Sequence, residues 1–139
     1  MPLLNWSDSL SVNHEEIDSQ HKKLVNLVNA LHDHMAAGDA NDVIGKVLDR
    51  MIEYTAFHFA TEERLMADSA YPNAGLHKIE HKKLVEKAVD LQKRFKSGQG
   101  QITLEVMNFL RDWLKHHIAE SDKALGAHLA RQKGKATVA

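Results

Sequence analysis

Residues 17–35, IDSQHKKLVNLVNALHDHM, carry apolar side chains at intervals of three and four residues, which is typical of an α-helix with one buried face. The apolar positions of this stripe are Ile17, Leu24, Val28, Leu31 and Met35. His21 falls on the same face, so the stripe that should be buried also contains an imidazole. Asn13 and Glu16 lie three residues apart just before the stripe and have the pattern of a capping box. The sequence therefore predicts a first helix that starts near residue 13.

Three further stretches repeat this helical spacing, and turn residues such as Gly38, Pro72 and Gly98 separate them. The four predicted helices span roughly 13–37, 41–67, 74–96 and 101–120. Short loops between long amphipathic helices favour antiparallel neighbours. The expected fold is all-α, an antiparallel up-down-up-down four-helix bundle that forms a single domain over residues 1–139. Residues 131–139 are expected to be a frayed tail.

The composition excludes several classes of function. Hydrophobic residues make up 43% of the 139 residues, charged residues 27%, and the formal net charge is -1, which is unlike a nucleic-acid-binding protein. No apolar stretch approaches the ~20 residues of a membrane span, so a cytoplasmic protein is expected. Without cysteine, any metal site has to use imidazole and carboxylate, and the chain contains 10 histidines.

The polar residues that interrupt the apolar stripes fall at positions that an up-down-up-down bundle brings to one end. In such a bundle the start of the first helix, the end of the second, the start of the third and the end of the fourth all meet. The interruptions lie at those four places, and they are His21, His58, Glu62, His77, His81, His117 and Asp122. The sequence therefore predicts one buried cluster of five imidazoles and two carboxylates.

Two pairs in this cluster have the spacing of metal ligands on a helix. His58 with Glu62 and His77 with His81 are each four residues apart, so both members of a pair project from one helical face. A buried carboxylate without a partner would cost on the order of several kcal/mol, which bound cations would offset. Imidazole and carboxylate suit iron, manganese, copper or zinc, and seven ligands are too many for one ion. A two-metal site with about one open coordination position is predicted.

Helical phase leaves two ligand choices open and makes a third difficult. His116 is in phase with Phe109, whereas His117 is in phase with Trp113. Glu63 stands beside Glu62, at five rather than four residues from the preceding histidine. Asp122 follows His117 by five residues, about 140° round an ideal helix, so it reaches the same centre only if the helix loosens or ends there.

Di-iron carboxylate proteins of the ferritin-like class are the main competing bundle. Proteins of this class carry a Glu-x-x-His motif on each of two helices, and this sequence contains no such motif. Its nearest approach is Asp18 followed by His21. A histidine-rich site favours ligand binding over oxygen activation.

The sequence resembles the hemerythrins, and specifically their single-domain bacterial members, over nearly its whole length. The resemblance rests on Trp6, Asp18, Gln20, His21, His58, Phe59, Glu62, Glu63, His77, His81, Trp113, Leu114, His117, Ile118 and Asp122. The Trp-Leu-x-x-His-Ile pattern of the family selects His117 over His116, and Glu62 is preferred to Glu63. What the resemblance implies is a pair of oxo- or hydroxo-bridged non-haem iron ions that binds dioxygen reversibly.

In the family pattern, three histidines hold one iron, two hold the other, and two carboxylates bridge them. Carried over by position, the first set is His77, His81 and His117, the second is His21 and His58, and the bridges are Glu62 and Asp122. The resemblance implies oxygen storage, delivery or buffering rather than catalysis, with an oxygen-consuming protein as a partner still to be identified. A di-iron enzyme of the peroxidase or nitric oxide reductase type and a metal-storage protein are the alternatives. Apolar walls around the centre are expected from Leu24, Phe59, Trp113 and Ile118.

Overall fold

A computed structural model describes residues 4–98 and 104–138 of the chain, and all the regular secondary structure in these ranges is helical. A 3-10 turn, Asp8–Leu10, precedes α1 (Glu15–Ala36), α2 (Asn41–Asp68), α3 (Ala74–Lys96), α4 (Leu104–His116), a π-helical segment (His117–Asp122) and α5 (Lys123–Val138). The last three elements run on without a break, so the described residues form four long helices. The predicted all-helical fold is confirmed. No helix in the described ranges is long and apolar enough to cross a membrane.

The main apolar core lies between the helices. Helix α1 packs against α2 and α4, and α2 packs against α3. Leu31 and Leu48 are fully buried there, and the burial of one such side chain stabilises the fold by roughly 1.5–3 kcal/mol. Other buried members of this core are Leu24, Val28, Met51, Phe95, Met107, Leu110, Leu114 and Ile118. The predicted apolar stripes therefore face one another, as the helical spacing requires.

A smaller apolar cluster closes the bundle beyond the residues predicted to bind metal. It consists of Val12, Ile17, Met66 and Leu125, all at most 3% exposed. Ile17 lies one helical turn before His21, and Leu125 lies about one turn after Asp122. These side chains separate that end of the polar cluster from solvent.

The start of α1 differs from the prediction. His14, not Asn13, is the N-cap, and its Nδ1 accepts a hydrogen bond of 3.3 Å from the backbone N–H of Ile17. Asn13 has φ of 59°, in the left-handed region that asparagine tolerates better than most residues. The expected capping box is wrong because the chain turns at Asn13 before the helix begins. Asp18 binds the same turn, accepting from the backbone N–H of Val12 at 2.8 Å.

The fourth helix extends beyond its predicted end at residue 120. It continues as the π-helical segment and then as α5 to Val138, so residues 131–138 are helical rather than frayed. No proline follows Pro72, and the alanine, leucine, lysine and arginine residues of α5 favour helix. The start predicted at residues 101–103 lies outside the described residues.

An ion pair between α2 and α3 makes a contribution to the free energy of unfolding that depends on pH. Asp49 accepts a hydrogen bond of 2.5 Å from Gln92 and lies 3.0 Å from the Lys96 ammonium, and these partners lower the pKa of its carboxyl. A carboxylate with a lowered pKa stabilises the fold above its unfolded pKa, near 3.8, and loses that contribution as the pH falls through its folded pKa. We expect Asp49→Asn to lower the free energy of unfolding at pH 6, with the difference from the wild type vanishing towards pH 2. Urea unfolding at a series of pH values measures it, and a pH-independent difference would contradict the assignment.

Candidate metal centre

All seven residues predicted to bind metal meet in one buried cluster. Each has a relative exposure of 4% or less, and Glu62 and Asp122 are fully buried. The contributing elements are α1, α2, α3 and the π-helical segment that follows α4. Residues more than 90 positions apart in sequence are thereby in contact, as in His21 and Asp122. The side chains that were predicted to converge are therefore close together in the structure.

The cluster divides into two overlapping groups, each with its ligand atoms within 4.8 Å of one another. The three-histidine group consists of Glu62, His77, His81, His117 and Asp122, and the two-histidine group consists of His21, His58, Glu62 and Asp122. Both carboxylates belong to both groups. The arrangement can therefore hold two ions with shared carboxylates between them.

Asp122 reaches the cluster because the helix changes its hydrogen-bonding pattern at this point. The six residues His117–Asp122 form a π-helix, in which each turn contains more residues than an α-helical turn. This wider turn brings side chains five residues apart to the same face, which an α-helix does not. His117 Nε2 lies 3.0 Å from Asp122 Oδ1 as a result. The loosened helix that the five-residue spacing required is present.

Asp122 contacts imidazoles of both groups through different oxygens. Its Oδ2 lies 2.6 Å from His21 Nε2, and its Oδ1 lies 3.0 Å from both His77 Nε2 and His117 Nε2. One carboxylate therefore faces both halves of the cluster, which is the placement of a bridging ligand.

Glu62 has the matching position on α2. Its Oε1 lies 3.1 Å from His58 Nε2, 3.2 Å from His81 Nε2 and 3.4 Å from His117 Nε2. The histidines thus present Nε2 to the centre, and both carboxylates lie among them.

Several of these inward nitrogen and oxygen atoms form no hydrogen bond with each other, which indicates that they are arranged to bind cations. Among the described side chains, the buried atoms without a hydrogen-bond partner include His58 Nε2, His77 Nε2, His81 Nε2, Glu62 Oε2 and Asp122 Oδ1. Buried polar atoms are nearly always satisfied, so such a concentration requires an explanation. Nitrogen and oxygen atoms without thiolate form the donor set of a transition-metal ion such as iron or manganese. The residues present fit a two-metal centre.

The charges of the cluster favour ionised carboxylates. Burial by itself would raise the pKa of Asp122, but the positive charge of His117 and hydrogen bonds in the cluster hold that pKa well below its usual range. Burial would lower the pKa of His117, yet Asp122 and Glu62 raise it well above its usual value. Both effects leave the Asp122 carboxyl anionic at neutral pH, the form in which it binds a metal ion.

A hydrogen-bond chain fixes which nitrogen of His58 faces the centre. The Gln20 amide N–H donates to Thr61 Oγ1 at 3.1 Å, so the amide oxygen is directed at His58 Nδ1, 2.7 Å away. The Thr61 hydroxyl in turn donates to the carbonyl of Phe57 at 3.2 Å. His58 Nδ1 must therefore carry the proton, which leaves a lone pair on Nε2 for a metal ion.

The two alternatives that helical phase left open are distinguished by the structure. Glu63 lies outside the cluster, where its Oε2 is 3.2 Å from His81 Nδ1 rather than Nε2. The His116 side chain is 63% exposed and lies 3.3 Å from Glu120, away from the centre. Glu62 and His117 are the residues that the structure places inside.

The remaining histidines lie apart from the cluster. His14, His32 and His34 are half-buried on α1 and its cap. His128 is buried, and its Nε2 bonds the carbonyl of Ser69 at 2.9 Å, which ties α5 to the end of α2.

Two contacts near the cluster were not predicted from the sequence. Glu80 lies 3.7 Å from His117 Nδ1 through its Oε2, and Ser121 donates to the same oxygen at 2.6 Å. For the contact of Glu80 with His117, the only sequence signal is the spacing of three residues between His77 and Glu80, which puts both on one side of α3. The contact of Ser121 with Glu80 depends on the π-helical segment.

Aromatic and aliphatic side chains line the centre on the side of the main core. The Phe59 ring stacks on His81 with centroids 3.8 Å apart, and the Trp113 ring stacks on His117 at 4.7 Å. A cavity of about 30 Å³ borders His117 and is lined otherwise by Leu24, Val28, Met51, Ile52, Thr55, Phe59, Leu84, Ala88, Leu110, Trp113 and Leu114. Three of the four predicted wall residues therefore line it, whereas Ile118 is buried in the core without reaching the cavity.

Known proteins are similar to this chain in both sequence and structure. The family model of the hemerythrin HHE cation binding domain matches residues 12–129. A bacteriohemerythrin of Methylococcus capsulatus is 40% identical over 131 residues, which cover 94% of this chain and 99% of that protein. A bacteriohemerythrin of Stenotrophomonas maltophilia is 34% identical over 124 residues, 89% of this chain and 80% of the relative.

A solved structure agrees with the computed one along most of the chain. The crystal structure of a wild-type hemerythrin superposes with a TM-score of 0.87 at 40% identity, covering 92% of this chain and 98% of its own. The family match includes all seven clustered residues, from His21 to Asp122. With the buried histidine and carboxylate cluster, the family model and the relatives in agreement, the chain belongs to the hemerythrin family.

Proposed function

We propose that this chain binds dioxygen reversibly at a non-haem di-iron centre, for the storage, delivery or buffering of oxygen. The observation that carries the proposal is the pair of ligand groups that share Glu62 and Asp122 in a fully buried cluster. The names of the bacteriohemerythrin relatives support the same assignment. An antiparallel up-down-up-down course of the four helices is part of the proposal, since it accounts for the convergence of these residues.

In this proposal the three-histidine group holds one iron and the two-histidine group holds the other. When bound, two ferrous ions supply two electrons that dioxygen takes up and returns on release. Glu62 and Asp122 contribute negative charge to both positions from full burial. His21 and His58 supply two imidazoles where the other group supplies three, so the two-histidine position would keep a coordination position open for a gas molecule.

The apolar cavity supports a small uncharged ligand. Its volume of about 30 Å³ exceeds the roughly 10–15 Å³ that a cavity needs to admit one molecule of the size of water. Leu24, Phe59 and Trp113 offer an approaching water molecule no strong hydrogen-bond partners from their apolar surfaces. These walls would exclude water and protons, and thereby slow irreversible oxidation of the centre.

Measurement of gas uptake tests the proposal against an enzyme. The iron-loaded protein is reduced, freed of reductant and mixed with a known amount of dioxygen in an electrode chamber. We expect uptake of one dioxygen for every two irons, followed by recovery of the gas under argon. Continued consumption of dioxygen when an electron donor is supplied, with no gas recovered, would instead favour the enzyme. Replacement of dioxygen by nitric oxide in the same chamber tests the reductase alternative.

Removal of the metal should lower thermal stability. A ligand that binds only the folded protein adds about 2.7 kcal/mol to stability at a free concentration of 100 times its dissociation constant. We therefore expect a chelator to lower the midpoint of thermal unfolding, and added ferrous iron under argon to restore it. Circular dichroism at the helical minimum measures the midpoint. Equal midpoints with and without iron would count against a metal centre built into the folded core.

A further inference from the structure

The two ligand groups differ in the side chains that contact their histidines from outside. In the three-histidine group, Glu63 Oε2 lies 3.2 Å from His81 Nδ1, and Glu80 Oε2 lies 3.7 Å from His117 Nδ1. In the two-histidine group, the outer nitrogen of His58 contacts the neutral amide of Gln20 at 2.7 Å. Within the described residues, the outer negative charge therefore lies on one side of the cluster.

Glu80 is held in place by the same turn that brings Asp122 into the centre. Ser121, in the π-helical segment, donates a hydrogen bond of 2.6 Å to Glu80 Oε2, the oxygen nearest to His117. The distance of 3.7 Å to His117 is longer than a hydrogen bond, so Glu80 acts on that ring through its charge. This contact joins α3 to the fourth helix beside the three-histidine group.

Glu63 reaches the outer side of the His81 ring because it follows Glu62 directly on α2. The next residue of a helix projects about 100° further round, so adjacent carboxylates point to different sides of a neighbouring ring. Glu62 Oε1 is 3.2 Å from His81 Nε2, and Glu63 Oε2 is 3.2 Å from His81 Nδ1. The ring of His81 therefore lies between an inner and an outer carboxylate.

An outer carboxylate strengthens a histidine ligand in two ways. By accepting the Nδ1–H it fixes the ring with Nε2 facing inward, and its negative charge makes Nε2 a better donor to a cation. An amide such as that of Gln20 fixes the ring in the same way, but it adds no net charge. Loss of such an outer partner typically reduces metal affinity about 10–100-fold.

We infer that Glu63 and Glu80 are positioning residues that make the three-histidine group the tighter metal site, so that it fills first and empties last. The inference rests on the proposed two-ion centre and adds to it an order of loading and the residues that set that order. Glu63 acts on His81 and Glu80 acts on His117, and both of these histidines belong to the three-histidine group.

Titration of the metal-free chain with cobalt(II) tests this order. Competition with a chelator yields two stepwise dissociation constants, and visible absorption reports the occupancy. We expect Glu63→Gln to raise the dissociation constant of the tighter step about 10–100-fold, with the weaker step unchanged. Glu80→Gln should change the same step in the same direction and by less, because its contact is longer. Glu53→Gln on α2 and Glu86→Gln on α3, which remove exposed carboxylates, are the matched controls and should change neither constant.

Two histidine variants assign the steps. His81→Ala should abolish the tighter step, and His58→Ala the weaker one. The order is overturned if His81→Ala abolishes the weaker step and His58→Ala the tighter one. It is also overturned if Glu63→Gln changes both dissociation constants equally or changes neither of them. If the wild-type chain binds fewer than two cobalt ions while its circular dichroism is helical, the two-ion centre itself fails, which is a separate result.

Discussion

Alanine in place of Glu62 is expected to lower bound iron well below two ions per chain while the protein remains helical. Both ligand groups lose the same shared carboxylate, and the Nε2 atoms of His58 and His81 lose an oxygen at 3.1 and 3.2 Å. Removal of a buried anion also leaves the imidazoles without one of their two counter-charges. The helices keep their main apolar core, which does not include Glu62. Metal analysis of the purified variant and far-ultraviolet circular dichroism measure the two outcomes.

Glu53→Ala is the control for this substitution. Glu53 is an exposed carboxylate on the same helix, so its loss should leave two irons per chain. Retention of two irons by Glu62→Ala would refute the bridging role of that residue.

Gly126→Ala is expected to destabilise the fold by roughly 1–3 kcal/mol, as overpacking of a closely packed site does. A Cβ at this position would lie 2.3 Å from the backbone oxygen of Val12, a separation that requires the backbone to move. Val12 is not free to move, because its N–H is bonded to Asp18 at 2.8 Å and its side chain is buried with Leu125. Alanine favours helix over glycine by about 1 kcal/mol, which offsets only part of the clash. Denaturant unfolding of the iron-loaded protein measures the difference.

Gly45→Ala separates steric from conformational effects. Gly45 lies inside α2, and a Cβ there would meet Phe95 at 3.4 Å, an ordinary contact. Stability should therefore be maintained or slightly raised by the better helix propensity of alanine. If Gly126→Ala were as stable as Gly45→Ala, the close approach between α5 and the segment before α1 would not exist in solution.

Helical phase was sufficient to predict the all-helical fold class, and helical phase together with the family resemblance predicted the membership of the cluster. His21, His58 and His117 interrupt the predicted apolar stripes, and the occurrence of several such residues together indicated a buried polar site. Their convergence followed from the expected direction of each helix, and the structure places all of them in contact with Glu62 or Asp122.

The geometry at Asp122 could not be derived from an ideal helix. π-helical turns are rare, and the pattern of apolar residues around this one does not reveal it. The five-residue spacing from His117 indicated that the helix had to change, but not whether it loosened or ended. The structure shows that it loosens and then continues to Val138.

Contacts between distant segments were also beyond sequence pattern. Gly126 accommodates the backbone of Val12, and nothing in the local sequence pattern indicates that contact. Asn13 suits a helix start by residue type, but the backbone turn at Asn13 makes His14 the cap. The sequence does not distinguish Glu80 and Ser121 from ordinary surface residues, because their hydrogen bond forms only where α3 lies beside the π-helical segment. Each of these features depends on the packing of elements that local periodicity leaves undetermined.

The most direct test of reversible oxygen binding is the visible absorption of the iron-loaded chain through repeated cycles of oxygenation. The reduced protein is exposed to dioxygen, then to argon, and the charge-transfer band is recorded at each stage without added reductant. We expect a band that appears with dioxygen, disappears under argon, and returns with nearly the same intensity in the next cycle. A band that persists under argon, or a protein that becomes oxidised in the first cycle and never returns to the colourless reduced form, would contradict the proposed function.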